Sequence, residues 1–270
     1  MINFFLHIPK SAGISLREMV RCQFSAEQLM LIYDGELAFC HPDPNLLAEI
    51  RRRVCTIRAI FGHYSFGAHL VAGLSDVVYN CILRDPAARI ASFFQHQLRE
   101  EGSRLHSHIH RGMSLRVAIE KRMAPEFNNY ATRILATDVD LINNYLGINH
   151  RNVKGWHDLQ ISVGYLDGAL HGEQGPYDQI FHRSHLDRAV RNIQQHFCFV
   201  GTAERFADSA RLLFDGLGWP FRPQEVAFLN KATEERNLLD SATLDVIREY
   251  NALDYELYER FADLSFQNFS

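Results

Sequence analysis

The chain has 270 residues, of which 47% are hydrophobic, enough to bury a full core as one α/β domain over residues 1–270. Its formal net charge of −4, from 28 Lys and Arg against 32 Asp and Glu, argues against a general nucleic-acid binder. No stretch reaches the length of a transmembrane span. No charged n-region leads into an apolar h-region, and the five cysteines lack any Cys-x-x-Cys spacing, so they read as reduced and mostly buried.

In chain order, apolar runs predict strands at 3–8, 56–61, 77–83 and 197–201. Amphipathic patterns predict helices at 15–22, 44–53, 87–99, 114–122, 127–136, 184–196, 203–216 and 241–263. Strands alternating with helices point to an α/β class with a central, mainly parallel sheet flanked by helices. The stretch Gly164 to Gly175 reads as a hairpin or a loop.

The first strand, Phe4-Phe5-Leu6, runs into His7-Ile8-Pro9-Lys10-Ser11-Ala12-Gly13-Ile14-Ser15, with a helix predicted from Ser15. A strand, a short Lys/Ser/Gly loop and a helix N-terminus together suit an anion: loop amides and the helix dipole attract it, and Lys10 adds an ammonium. The Walker A order is absent. A second such place follows the strand Val77 to Leu83, where Arg84-Asp85-Pro86 opens a helix carrying Ser92. Asp85 is a natural N-cap and Pro86 a natural first helical residue.

These two segments resemble the nucleotide-binding motifs of sulfotransferases that use 3′-phosphoadenosine-5′-phosphosulfate (PAPS), in particular the Golgi carbohydrate branch. That branch typically reads His-Ile-Pro-Lys-Thr-Ala-Gly-Thr-Ser in the first loop and Leu-Arg-Asp-Pro, with a later Ser, in the second. Three further stretches resemble its segments in the same order: Phe61-Gly62-His63-Tyr64-Ser65-Phe66-Gly67, Phe199-Val200-Gly201-Thr202-Ala203-Glu204-Arg205-Phe206 and Asn251-Ala252-Leu253-Asp254-Tyr255-Glu256-Leu257-Tyr258. Asn129 to Leu135 (Asn-Tyr-Ala-Thr-Arg-Ile-Leu) adds a fourth. Ser11 and Ile14 stand where the branch usually has Thr. Ser11 keeps a hydroxyl; Ile14 has none, so Ser15 or backbone would have to supply the hydrogen bond made there.

The resemblance implies a P-loop-like three-layer fold and a single sulfotransferase domain. By its motifs, Pro9, Lys10, Ser11, Ala12, Gly13, Ile14 and Ser15 cradle the 5′-phosphosulfate, while Arg84 and Ser92 hold the 3′-phosphate. It also implies PAPS as co-substrate, adenosine 3′,5′-bisphosphate as product, no required metal, and a hydroxyl acceptor on a glycan or glycosylated small molecule. Relatives of the Golgi branch carry an anchor and stem before the first strand; a chain opening on that strand is expected to be soluble and cytoplasmic.

Sulfuryl transfer needs a cation at the leaving oxygen and a base at the attacking hydroxyl. Lys10 fits the first role. His63 is the leading base, because it follows a strand and imidazole takes up protons near physiological pH; Glu36 and Glu101 are alternatives without a motif. His106-Ser107-His108-Ile109-His110 lacks the further ligands of a zinc site and is read as a polar loop at the acceptor cleft. Arg99, Arg104, Arg111 and Arg116 make that region basic, as a solvated helix face would also do. Two other functions compete: a P-loop-like kinase, which would require magnesium, and a nucleotide-binding module without turnover.

Overall fold

A computed structural model describes residues 1–33, 43–137, 183–222, 238–263 and 265–266. Five parallel strands form the centre: β1 (Ile2–Leu6), β2 (Leu29–Ile32), β3 (Ala59–Gly62), β4 (Val77–Leu83) and β5 (Phe197–Thr202). A short β6 (Ser265–Phe266) joins antiparallel to β5, and the strand order is β2-β3-β1-β4-β5-β6.

Alternation along the strands supplies two apolar faces. Phe4, Leu6, Ile60, Tyr79 and Cys81 point to one side, and Phe5, Phe61, Val78 and Ile82 to the other. The first face is covered by α2 (Pro44–Arg53), α3 (Ala68–Ala72), α7 (Tyr130–Leu135), α8 (Arg183–His196) and α11 (Ala252–Phe261). The second is covered by α1 (Gly13–Arg21) and α9 (Phe206–Leu217) through Leu16, Met19, Val20, Leu213 and Phe214. The result is a three-layer α/β fold, as the alternation of strand and helix signals predicts.

A third apolar cluster lies beyond the sheet. It joins α4 (Pro86–Arg99), α5 (His106–His110), α6 (Leu115–Glu120) and α10 (Ser241–Tyr250) around Ile90, Phe93, Phe94, Ile119, Phe127 and Ile247. Asp85 caps α4 by accepting from Ala88 N at 2.8 Å, with Pro86 in the first turn, as read from the sequence.

Several expectations are corrected. Leu29–Ile32 forms a strand missed in the sequence, a four-residue run at the sheet edge with its alternate residue Leu31 exposed. The helix expected at 241–263 is two helices. At their junction the Asn251 amide donates to the carbonyl of Phe127, and its Oδ1 accepts from Asn129 N, which draws the chain out of the helical path. The segment at 127–136 is a 3-10 turn, Pro125–Phe127, followed by α7. α1 starts at Gly13 rather than Ser15. The histidine run is helical, not a loop, and Ile109 anchors it in the third cluster. Cys22 and Cys55 are exposed thiols, while Cys81 and Cys198 are buried. Gly164 to Gly175, Glu36 and Cys40 lie outside the described residues. No helix among the described residues is long and apolar enough to cross a membrane.

Two of the family-like segments prove to be joints of the fold. Asn129 Oδ1 accepts from Leu253 N and Asp254 N, capping α11, while Asp254 accepts from Ala131 N and Thr132 N, capping α7. Each helix thus caps the other. Asp254 also lies 3.6 Å from Arg89, both almost fully buried, so losing the carboxylate would strand a buried guanidinium at a cost of about 3–5 kcal/mol.

Candidate functional site

In an open parallel sheet, ligands bind beyond the carboxyl ends of strands where successive connections leave in opposite directions. Here the chain leaves β1 towards β2 on one side, and leaves β4 towards β5 on the other. β1 and β4 are neighbours, so their ends frame that crevice. The Lys10 loop follows β1, and Arg84 follows β4. Their side-by-side placement is a consequence of strand order alone.

The loop is tightly wound. Lys10 and Ala12 both adopt left-handed backbone, at φ 68° and 58°, and Ser11 N donates back to the carbonyl of Ile8 at 3.2 Å. Non-glycine residues adopt this conformation at a cost, so a pair of them separated by a single residue indicates a conformation held by its surroundings. One restraint is Arg84, whose Nη1 donates to the Lys10 carbonyl at 2.9 Å.

Ser11 is almost fully buried, and its hydroxyl has no hydrogen-bond partner among the described residues. Burying a hydroxyl without a partner costs about 1–3 kcal/mol. Such a group fits a loop shaped for an added oxygen-rich ligand. Ile14 is 51% exposed in the first turn of α1, an apolar side chain at the rim that buries little. Ser92 is buried in α4, six residues past Pro86 and so about 9 Å along the helix axis.

Aromatic and imidazole rings wall the loop on the β3 side. The His7 and His63 rings lie 4.5 Å apart, and Tyr33 meets His63 edge-on at 4.8 Å. The Arg17 guanidinium sits 5.9 Å from the Tyr33 ring centre. His7 is held well below the ordinary imidazole pKa by burial first, then by the nearby His63, Arg17 and Lys10 charges. On the α4 side His96 is lowered by burial and then by Lys10. The Lys10 charge thus contributes at both His7 and His96.

Glu204, in another family-like segment, accepts from Asp85 N at 3.1 Å and from the Tyr258 hydroxyl at 3.0 Å. It pins the exits of β4 and β5 to α11 and so steadies the turn carrying Arg84. Glu101 is exposed beyond the end of α4. Arg104 and Arg116 are engaged in surface ion pairs with Glu126 and Glu120. The His106 and His110 rings contact each other at 4.2 Å, and among the described residues no three metal-ligating side chains converge.

Sequence reading located Lys10, Arg84 and His63 but overlooked His7, Tyr33, Arg17 and His96. His7 and His63 each directly follow an apolar strand, which is a usable signal once the strands are known to be neighbours. The fold and the crevice define an α/β protein with a tightly wound loop, carrying Lys10, at its switch point. Compared with known proteins, the chain matches no family model and no curated sequence.

Proposed function

We propose that this chain is a PAPS-dependent sulfotransferase that moves a sulfuryl group to a hydroxyl of a carbohydrate or glycosylated small molecule. The observation that carries the reading is the Arg84–Lys10 bond, which makes one crevice of the two segments that resemble the 5′- and 3′-phosphate motifs. The wound loop, the buried Ser11 hydroxyl and the cationic neighbourhood of Lys10 support it.

In this reading the acceptor oxygen attacks sulfur in line. A new S–O bond forms as the bond from sulfur to the bridging phosphate oxygen breaks, and the electron pair stays on the 5′-phosphate of the departing adenosine 3′,5′-bisphosphate. Lys10 offsets that growing charge, as cations do in phosphoryl transfer. Arg84 donates to the 3′-phosphate, and Ser92 adds a hydroxyl. His63 takes the acceptor's proton.

The decisive assay supplies PAPS labelled in its sulfuryl group to the protein with a panel of glycans and glycosides, in excess chelator. Labelled sulfate ester together with adenosine 3′,5′-bisphosphate is expected. Transfer from ATP that depends on magnesium would replace this reading with the kinase. Tight nucleotide binding with no turnover on any acceptor would favour a binding module.

A further inference from the structure

His7 and His63 leave neighbouring parallel strands at one level, because Leu6 pairs in register with Gly62. His7 N donates to the Gly62 carbonyl at 2.8 Å, and His63 N to the Ile32 carbonyl at 2.9 Å, so both backbones are held by the sheet. The ring centres lie 4.5 Å apart with a 43° tilt, and Tyr33 meets His63 edge-on at 83°. On its other flank the His7 ring lies against Gly13, where a Cβ would fall 1.8 Å from Nε2. His7 therefore stands between the anion loop and His63, touching both.

We propose that His7 is a positioning residue for His63: wedged between the Gly13 backbone and the His63 ring, it holds that ring in one orientation and ties the orientation to the anion loop. The role calls for a flat ring of this size, not for a proton. Burial and the surrounding cations keep His7 neutral, in keeping with a part played by shape. As far as it concerns turnover, the inference rests on the sulfotransferase reading; as far as it concerns ring order, it does not.

The test compares His7→Ala with His7→Phe, which restores a flat ring without nitrogen. His7→Ala should lower kcat by about tenfold to a hundredfold, as expected for a misplaced reacting group, with affinity for adenosine 3′,5′-bisphosphate changed by less than about twofold. His7→Phe should recover most of that loss. Independently of activity, ¹⁵N–¹H spectra of the ligand-free protein should show one set of His63 ring signals in the wild type and in His7→Phe, and more than one in His7→Ala. Should His7→Ala not fold, His7→Leu keeps bulk against Gly13 while removing the flat face.

A Phe variant as impaired as Ala would overturn the inference in favour of nitrogen chemistry at His7. Unchanged His63 signals in His7→Ala would overturn it outright, as would loss of nucleotide affinity in step with kcat, which would mark a loop pillar only. If the wild type transfers no sulfuryl group, the functional reading falls, and the ring signals still decide whether His7 orders His63.

Discussion

Arg84 spends one guanidinium hydrogen bond, 2.9 Å long, on the carbonyl oxygen of Lys10. A cation at the end of β4 thereby braces the loop after β1. Arginine suits a site that also has to grip a phosphate because its donors diverge in a fixed plane, which an ammonium cannot imitate.

Adenosine 3′,5′-bisphosphate should therefore stabilise the protein far more than AMP does, since a tighter ligand raises the melting temperature by mass action. Arg84→Ala should abolish most of that difference and weaken bisphosphate binding by about tenfold to a hundredfold, the worth of a charged hydrogen-bonded contact. Arg84→Lys should recover little. Thermal shifts that are equal for the two nucleotides in the wild type would remove the basis of the 3′-phosphate assignment.

Lys10 is expected to act differently, because its interaction strengthens as charge reaches the leaving oxygen. Lys10→Ala should depress kcat by about a hundredfold or more, with a smaller change in KM, in line with removal of a transition-state interaction. Wild-type turnover should persist in excess EDTA. Near-normal turnover by Lys10→Ala would refute the role.

The contact between His7 and Gly13 makes a prediction about pairs. Gly13→Ala alone places a methyl group inside the His7 ring and should cost about 1–3 kcal/mol in stability, the usual penalty of overpacking. Combined with His7→Ala the same methyl has room, so the double variant should lose less than the sum of the singles by about 1 kcal/mol or more. Strictly additive losses in urea titrations would show that the ring and the glycine do not constrain each other.

Acid should destabilise the fold through His69, which is buried with Nδ1 2.9 Å from the Tyr79 hydroxyl. Its pKa is lowered to about 4, by burial first and then by His196. The unfolded chain binds this proton near pH 6.5, so the stability contributed is fully present above that pH and is lost as the pH falls towards 4. Between pH 7 and pH 4.5 the stability advantage of wild type over His69→Gln should shrink by about 2 kcal/mol. A difference that stays constant across that range would show that His69 is protonated in the folded state as readily as in the unfolded one.

Local chemistry was enough to read much of this molecule. The apolar runs of β1, β4 and β5 alternate in a way that suits both faces of a covered sheet, and Asp85-Pro86 announces the start of α4 because a cap and a first-turn proline act within a few residues. The strand–loop–helix layout around Lys10 is legible for the same reason, since its signals lie within a few residues of one another. What sequence could not supply is adjacency. Nothing local shows that Leu6 aligns with Gly62, yet that register sets His7 against His63 and makes Gly13 obligatory under the ring. Nothing local shows that Asn129 and Asp254 cap each other's helices across more than a hundred residues, because the hydrogen bonds exist only once the helices have packed. Residue types determined which chemistry was available to this chain; strand order and register, set by the burial of both sheet faces together, decided which of those residues meet.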